Sequence, residues 1–188
     1  MNATPSEIIA REIAERFPPE GTLDSEPFLP NPPRPGGIIG IDPGTEQSAI
    51  VAIGPDGGVC PIGILPNAEV LKRISRAFEP PAEIAIEMIA SYGMPVGREV
   101  FETCLWIGRF IQRAQDFGNT AHLIFRRDVK HHLCNSAKAK DANVSQALRD
   151  KFGGMNAVGT KKNKGPLYGI KSHLWPALAV AVTFAETR

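Results

Sequence analysis

An α/β fold, a mixed β-sheet covered by helices, is what this 188-residue chain predicts. Three observations lead there. Two apolar, β-prone runs, "IIGID" (38–42) and "SAIVAI" (48–53), are separated only by a tight turn containing Pro43-Gly44, which reads as strand, turn, strand. Further along, helical and strand-like patterns alternate, the layout that joins strands through covering helices. The last element, "SHLWPALAVAVTFAE" (172–186), is a helix dense in small apolar residues.

The elements follow in order. Residues 4–17, "TPSEIIAREIAERF", set Ile8, Ile9, Ile13 and Phe17 at helical spacing behind Ser6 as N-cap. The stretch after it, "PPEGTLDSEPFLPNPPRPGG", is too rich in Pro and Gly for regular structure and reads as a linker. Residues 1–36 are therefore an N-terminal helix with a linker, and 37–188 the folded domain. Gly57-Gly58 turns the chain from the second strand into a third, "VCPIGIL". A helix is expected over 67–78, a buried strand over 82–89 ("AEIAIEMI"), and a long amphipathic helix over 96–117 with Val100, Cys104, Ile107 and Ile111 on one face. A strand over 121–127 ends in Arg126 and Arg127. Residues 141–152 form a helix with Asp141 as N-cap and Val144, Ala147 and Leu148 as its apolar stripe. A basic loop carrying Lys161, Lys162 and Lys164 precedes the last helix.

Composition narrows the class. With 43% hydrophobic and 22% charged residues, the chain can bury a core and is expected to be a soluble globular protein. A net charge of +1 neither demands nor excludes a polyanionic partner, so the position of the basic residues matters more than their sum. The 3 cysteines, Cys60, Cys104 and Cys134, are widely spaced and form no CxxC pair, which fits free thiols in a reducing compartment. No apolar run approaches the ~20 residues of a membrane span, and no signal-peptide core is visible, so a cytoplasmic protein is expected.

Two carboxylates sit where strands should be buried. Asp42 ends the first apolar run, and Glu87 lies inside "AEIAIEMI". Desolvating an ionised acid costs several kcal/mol unless something pairs with it, and two acids brought together raise each other's pKa. A hard cation, Mg²⁺ or Mn²⁺, resolves both difficulties, because it takes oxygen ligands. Held beside a phosphodiester, such an ion activates water and stabilises the leaving oxygen. The alternative is that both acids stay in contact with water at strand ends, with no metal.

"GIDPGTEQSAIVAI", "AIEMIASYG" and "SHLWPALAVAV" together resemble, in order and spacing, the RuvC-type Holliday junction resolvases of the ribonuclease H-like superfamily, and most of all the variants carried by phages and prophages. The resemblance runs from about Gly37 to Thr183. It implies a ribonuclease H-like nuclease domain over 37–188 with a five-stranded mixed sheet. It also implies metal-dependent (Mg²⁺ or Mn²⁺) cleavage of phosphodiesters in branched DNA, and a homodimer that engages a four-way junction. By position, Asp42 and Glu87 become metal-binding catalytic carboxylates. The family's last motif supplies an Asp or His and then an Asp three residues on; here those positions hold His173 and Pro176. His173 is retained as a catalytic and metal-binding candidate, since an imidazole can bind a transition ion or accept a proton from water. Pro176 removes a carboxylate, fixes the helix start near 172–176 and biases Trp175 away from helical geometry. Asp128 and Asp141 are the spare acids nearby; Asp141 is accounted for as a helix cap.

Arg126, Arg127, Lys130, Lys138 and Lys140, with Lys161, Lys162, Lys164 and Lys171, flank these elements and form the expected footprint of a phosphate backbone. "KAKDANVSQAL" resembles a segment whose lysines lie along bound DNA. Tyr92 and Met94, just after Glu87, are candidates to wedge or stack at an opened base pair. Two other functions share parts of this pattern. Sugar kinases and chaperone ATPases also open with "GID.GT", but they need a second phosphate loop and a duplicated domain, for which one ordinary domain has no room. A catalytically weak junction-binding protein would keep every binding feature and differ only in turnover.

Overall fold

The computed structural model describes residues 36–75 and 81–188, with Arg11 and Glu15. Apart from those two residues, the helix expected over 4–17 and the linker after it lie outside the described residues. The elements are β1 (Ile38–Asp42), β2 (Gln47–Ile53), β3 (Val59–Pro66), α1 (Asn67–Ile74), β4 (Glu83–Met88), α2 (Arg98–Asp116), β5 (Thr120–Phe125), α3 (Arg126–Cys134), α4 (Asp141–Lys151), a 3₁₀ turn (Gly154–Asn156) and α5 (Leu174–Thr187). They form a five-stranded sheet in the order β3-β2-β1-β4-β5. The β1–β2 and β2–β3 pairs are antiparallel, and the β1–β4 and β4–β5 pairs are parallel. The expected mixed sheet with flanking helices is therefore present.

The two-residue alternation of the strands sorts the core into two layers. Ile39, Ile41, Ile84 and Ile86 point to one face, where Val70 and Ile74 of α1 and Trp106 and Phe110 of α2 cover them. Ile38 and Ala85 point to the other, under Leu174, Leu178 and Val182 of α5, with Val129 of α3 and Leu148 of α4 beside them. Gly40 shares this second face. A Cβ there would meet the Ala177 carbonyl oxygen at 2.2 Å and the Ala181 Cβ at 2.8 Å. The small side chains of α5 thus let its backbone lie directly on β1.

Four local expectations change. The strand expected to run to residue 127 ends at Phe125, and Arg126 and Arg127 open α3 instead; Asn135, at φ 53°, closes that helix in the left-handed conformation that Asn tolerates. Asp141 is not the cap of α4. Lys140 holds the cap position, and its backbone N–H donates to the Asn143 side-chain oxygen at 2.9 Å. The buried stripe of α2 is Thr103, Trp106, Ile107, Phe110 and Ala114, with Val100, Cys104 and Ile111 only half-buried. Trp175 is helical: α5 begins at Leu174, and Pro176 falls in its first turn, where no N–H is needed for an intrahelical bond. Cys60, Cys104 and Cys134 are all free. No helix among the described residues is long and apolar enough to cross a membrane.

Candidate active site

The parallel register between β1 and β4 places the two strand acids side by side. Ile41 is opposite Ile86, so the next step along each strand brings Asp42 level with Glu87 at the carboxyl ends of two neighbouring strands. Gly40, Asp42, Ala85 and Glu87 share the α5 face by alternation. Because α5 is seated on Gly40, the first turn of that helix reaches the strand end, and His173 Nδ1 lies 3.3 Å from Asp42 Oδ2. Ser172, just before it, has φ 46°, a left-handed conformation unusual for a non-glycine residue. The structure therefore brings Asp42, Glu87 and His173 together.

Asp42 is the least comfortable of the three. Its side chain is 15% exposed. Burial first, then the neighbouring Glu87, push its carboxyl up from 3.8 to about 6, against the opposing pull of His173 and Arg126. Glu87 is buried as well, and Arg126 Nη1 donates to its Oε1 at 2.8 Å. The other guanidinium nitrogen, Nη2, reaches Asp141 Oδ2 at 2.7 Å, and Lys130 Nζ stands 3.5 Å from Asp141 Oδ1. Burial would lower the Arg126 pKa, but the contacts with Glu87 and Asp141 outweigh it and raise the value. Asp42, Arg126, Asp141 and His173 line an open cleft of about 670 Å³ together with Thr45 and Pro176, and Glu87 and Lys130 border a small hollow that shares Arg126 and Asp141 with it.

The turn after Asp42 is held by a ring of neutral groups absent from the expected site residues. The Gly44 N–H donates to Ser48 Oγ (3.2 Å), Ser48 Oγ donates to Asn67 Oδ1 (2.6 Å), and Asn67 Nδ2 donates to the Gly44 carbonyl (2.9 Å). The Asn67 N–H also donates to the Glu46 carbonyl at 2.9 Å. Ser48 and Asn67 are both buried. Asn67 stands 23 residues from Gly44 in the chain, so no local sequence signal ties it to the turn.

The remaining candidates fall around the cleft. Lys138 and Lys140 are exposed on the loop between α3 and α4. Arg127 and Asp128 face away from Asp42 and line a separate hollow with Tyr92, Phe125 and His131. Tyr92, at φ 47°, and Met94 are exposed on the loop after β4. Lys161, Lys162 and Lys164 project from a hairpin closed by the Gly159–Lys164 bridge. Arg126 and Lys130 are turned onto carboxylates rather than outward.

Two carboxylates and an imidazole, with burial first and the neighbouring Glu87 second pushing the Asp42 carboxyl up to about 6, suit a divalent cation in chemical type. Among the described residues, no three His, Cys, Asp or Glu side chains are already gathered as a metal nest.

The strand order, the acids at the strand ends and the helix laid across them define a ribonuclease H-like fold of the RuvC type. No family model and no curated protein matches the chain. Among solved structures it is similar to that of Thermus thermophilus RuvC, with a TM-score of 0.57 and 20% identity, covering 79% of this chain and 93% of that one. It is also similar to T. thermophilus RuvC in complex with Holliday junction substrate, with a TM-score of 0.52 and 19% identity over 80% of this chain and 93% of the other.

Proposed function

We propose that the chain is a structure-selective, divalent-metal-dependent endonuclease that cleaves phosphodiesters in branched DNA, four-way junctions foremost. The observation that carries this reading is the level pairing of Asp42 and Glu87 on adjacent parallel strands, with His173 at 3.3 Å from Asp42, beside an open cleft that Asp42 and His173 line. Similarity to a RuvC solved with Holliday junction substrate supports the choice of DNA. Asp42, Glu87 and His173 would hold the ion, Mg²⁺ or Mn²⁺. When bound, it would supply water activation and stabilisation of the leaving oxygen.

The chain's own groups do the rest. Where ionised Asp42 accepts the Nδ1–H of His173, Nε2 is the ring nitrogen left with a lone pair, and it serves either as a ligand to the ion or as the acceptor of a proton from water, not as both. The imidazole also favours Mn²⁺ over Mg²⁺. Lys138, Lys140 and Arg127 meet phosphates and position the duplex without reading bases. Tyr92 and Met94 are placed to stack at an opened pair. A homodimer supplies two such sites, and the outward face of α2, where Phe101 is 62% and Leu105 57% exposed one turn apart, suits a second copy.

A junction-binding protein with weak turnover is the second reading, favoured by Pro176 and by the guanidinium seated on Glu87. One assay separates the two. Synthetic four-way junction and linear duplex are incubated with Mg²⁺, Mn²⁺ or chelator. Metal-dependent nicking of the junction alone supports the nuclease; retention of the junction without nicking in either metal favours the second reading.

A further inference from the structure

Pro176 takes a carboxylate away from α5, yet a different helix brings one to the same place. Asp141 is the first residue of α4, and its carboxylate is not used to cap that helix, since Asn143 does so. It projects toward β4, where one guanidinium spans it and Glu87, at 2.7 Å and 2.8 Å. The two acids therefore lie within the reach of a single cation fork, although they come from different elements, β4 and α4. Glu87, Arg126, Asp141 and Pro176 also border one small hollow of about 30 Å³, more than the ~10–15 Å³ that one water needs. The Asp141 side chain is 65% exposed, so it can turn without disturbing packed neighbours.

We propose that Asp141 is the carboxylate this site uses in place of the one missing at Pro176, and that Arg126 is a positioning residue that holds Asp141 and Glu87 together until a divalent ion displaces it. The inference rests on the nuclease reading above. Arg126 balances the two acids, and a bound dication would supply that charge in its place. The guanidinium would then be free to turn toward the cleft, where a phosphate is its natural partner. Lys130, 3.5 Å from the second Asp141 oxygen, keeps the carboxylate close during the exchange.

The test measures Mn²⁺ binding by calorimetry, and by the electron paramagnetic resonance of free Mn²⁺, with no DNA present. Asp141→Asn should weaken binding at least about tenfold, the lower end of what even a partner of a metal ligand contributes. Arg126→Gln should tighten it, because the competing cation is gone, and should lower the melting temperature in chelator. Adding Pro176→Asp to Asp141→Asn should recover the lost affinity, which also shows that the single variant is folded. Wild-type affinity in Asp141→Asn, alongside loss of binding in Glu87→Gln, would overturn the role of Asp141 and leave the nuclease reading intact. Weaker binding in Arg126→Gln would overturn the competition between guanidinium and metal. If the wild-type protein takes up no Mn²⁺ at all, the nuclease reading fails, and this proposal with it.

Discussion

Replacing Asp42 by Asn should make the metal-free protein more stable at neutral pH, not less. The carboxyl titrates at about 6 in the folded chain, against 3.8 for the same group in water. The folded state thus binds its proton more tightly than the unfolded state does. That contribution to stability is fully present below about pH 4 and is lost as pH rises through about 6. At about 1.4 kcal/mol per unit of pKa, the loss amounts to about 3 kcal/mol above that range. Asn stays neutral throughout and escapes it. In chelator at pH 8 the variant should therefore melt higher than wild type, by on the order of 10 °C for a domain of this size. At pH 4 the two should nearly coincide. The assay is a series of thermal or urea melts in chelator from pH 4 to pH 8. A variant less stable than wild type at pH 8, or two curves that run parallel across the series, would refute the reasoning. The same substitution should abolish metal-dependent cleavage while sparing junction binding, so stability and activity move in opposite directions.

Changing Lys138 and Lys140 together to Ala should lower the slope of log affinity against log salt by about two units, at ~0.9 per phosphate contact; an unchanged slope in a junction-binding titration would show that these lysines meet only solvent. His173→Ala should reduce cleavage in both Mg²⁺ and Mn²⁺ and flatten the pH–rate profile; wild-type rates and profile would make the imidazole a structural group. Asn67→Ala removes the centre of the neutral ring behind Asp42 and should cost about 1–3 kcal/mol, read as a lower urea midpoint with an unchanged slope; an unshifted midpoint would show that the turn stands without it.

Much of this arrangement is legible in the residues. Asp42 and Glu87 each break an otherwise apolar run, and alternation along the strands is enough to put both on one face. The position of α5 follows from Gly40 and from the alanines of "PALAVAVTFA", which only a close backbone approach explains. Helix α3 is different. It begins with two arginines, carries two histidines, and buries only Val129, so its apolar period is too faint to show. The partnership of Asp141 with Glu87 is hidden for another reason. It is made by Arg126 across long separations in sequence, and no local rule distinguishes an acid that caps its own helix from one that faces a neighbour. Ser48 and Asn67 are each unremarkable in the sequence; only their closure around Gly44 gives them a role.

The ring that joins Gly44, Ser48 and Asn67 contains no charge, whereas Arg126, Glu87, Lys130 and Asp141 are tied together by ion pairs. Mobile ions screen charges over about 8 Å at physiological ionic strength and leave neutral hydrogen bonds largely untouched. The ionic group is not uniform in this respect. The Lys130–Asp141 contact at 3.5 Å, on an acid that is 65% exposed, is open to added salt, whereas the Arg126–Glu87 contact, on an acid only 10% exposed, is shielded from it, as the Asp42 turn is. The group thus has a yielding end at Asp141 and a fixed one at Glu87, and on the nuclease reading a phosphate backbone would compete for Arg126 at the yielding end.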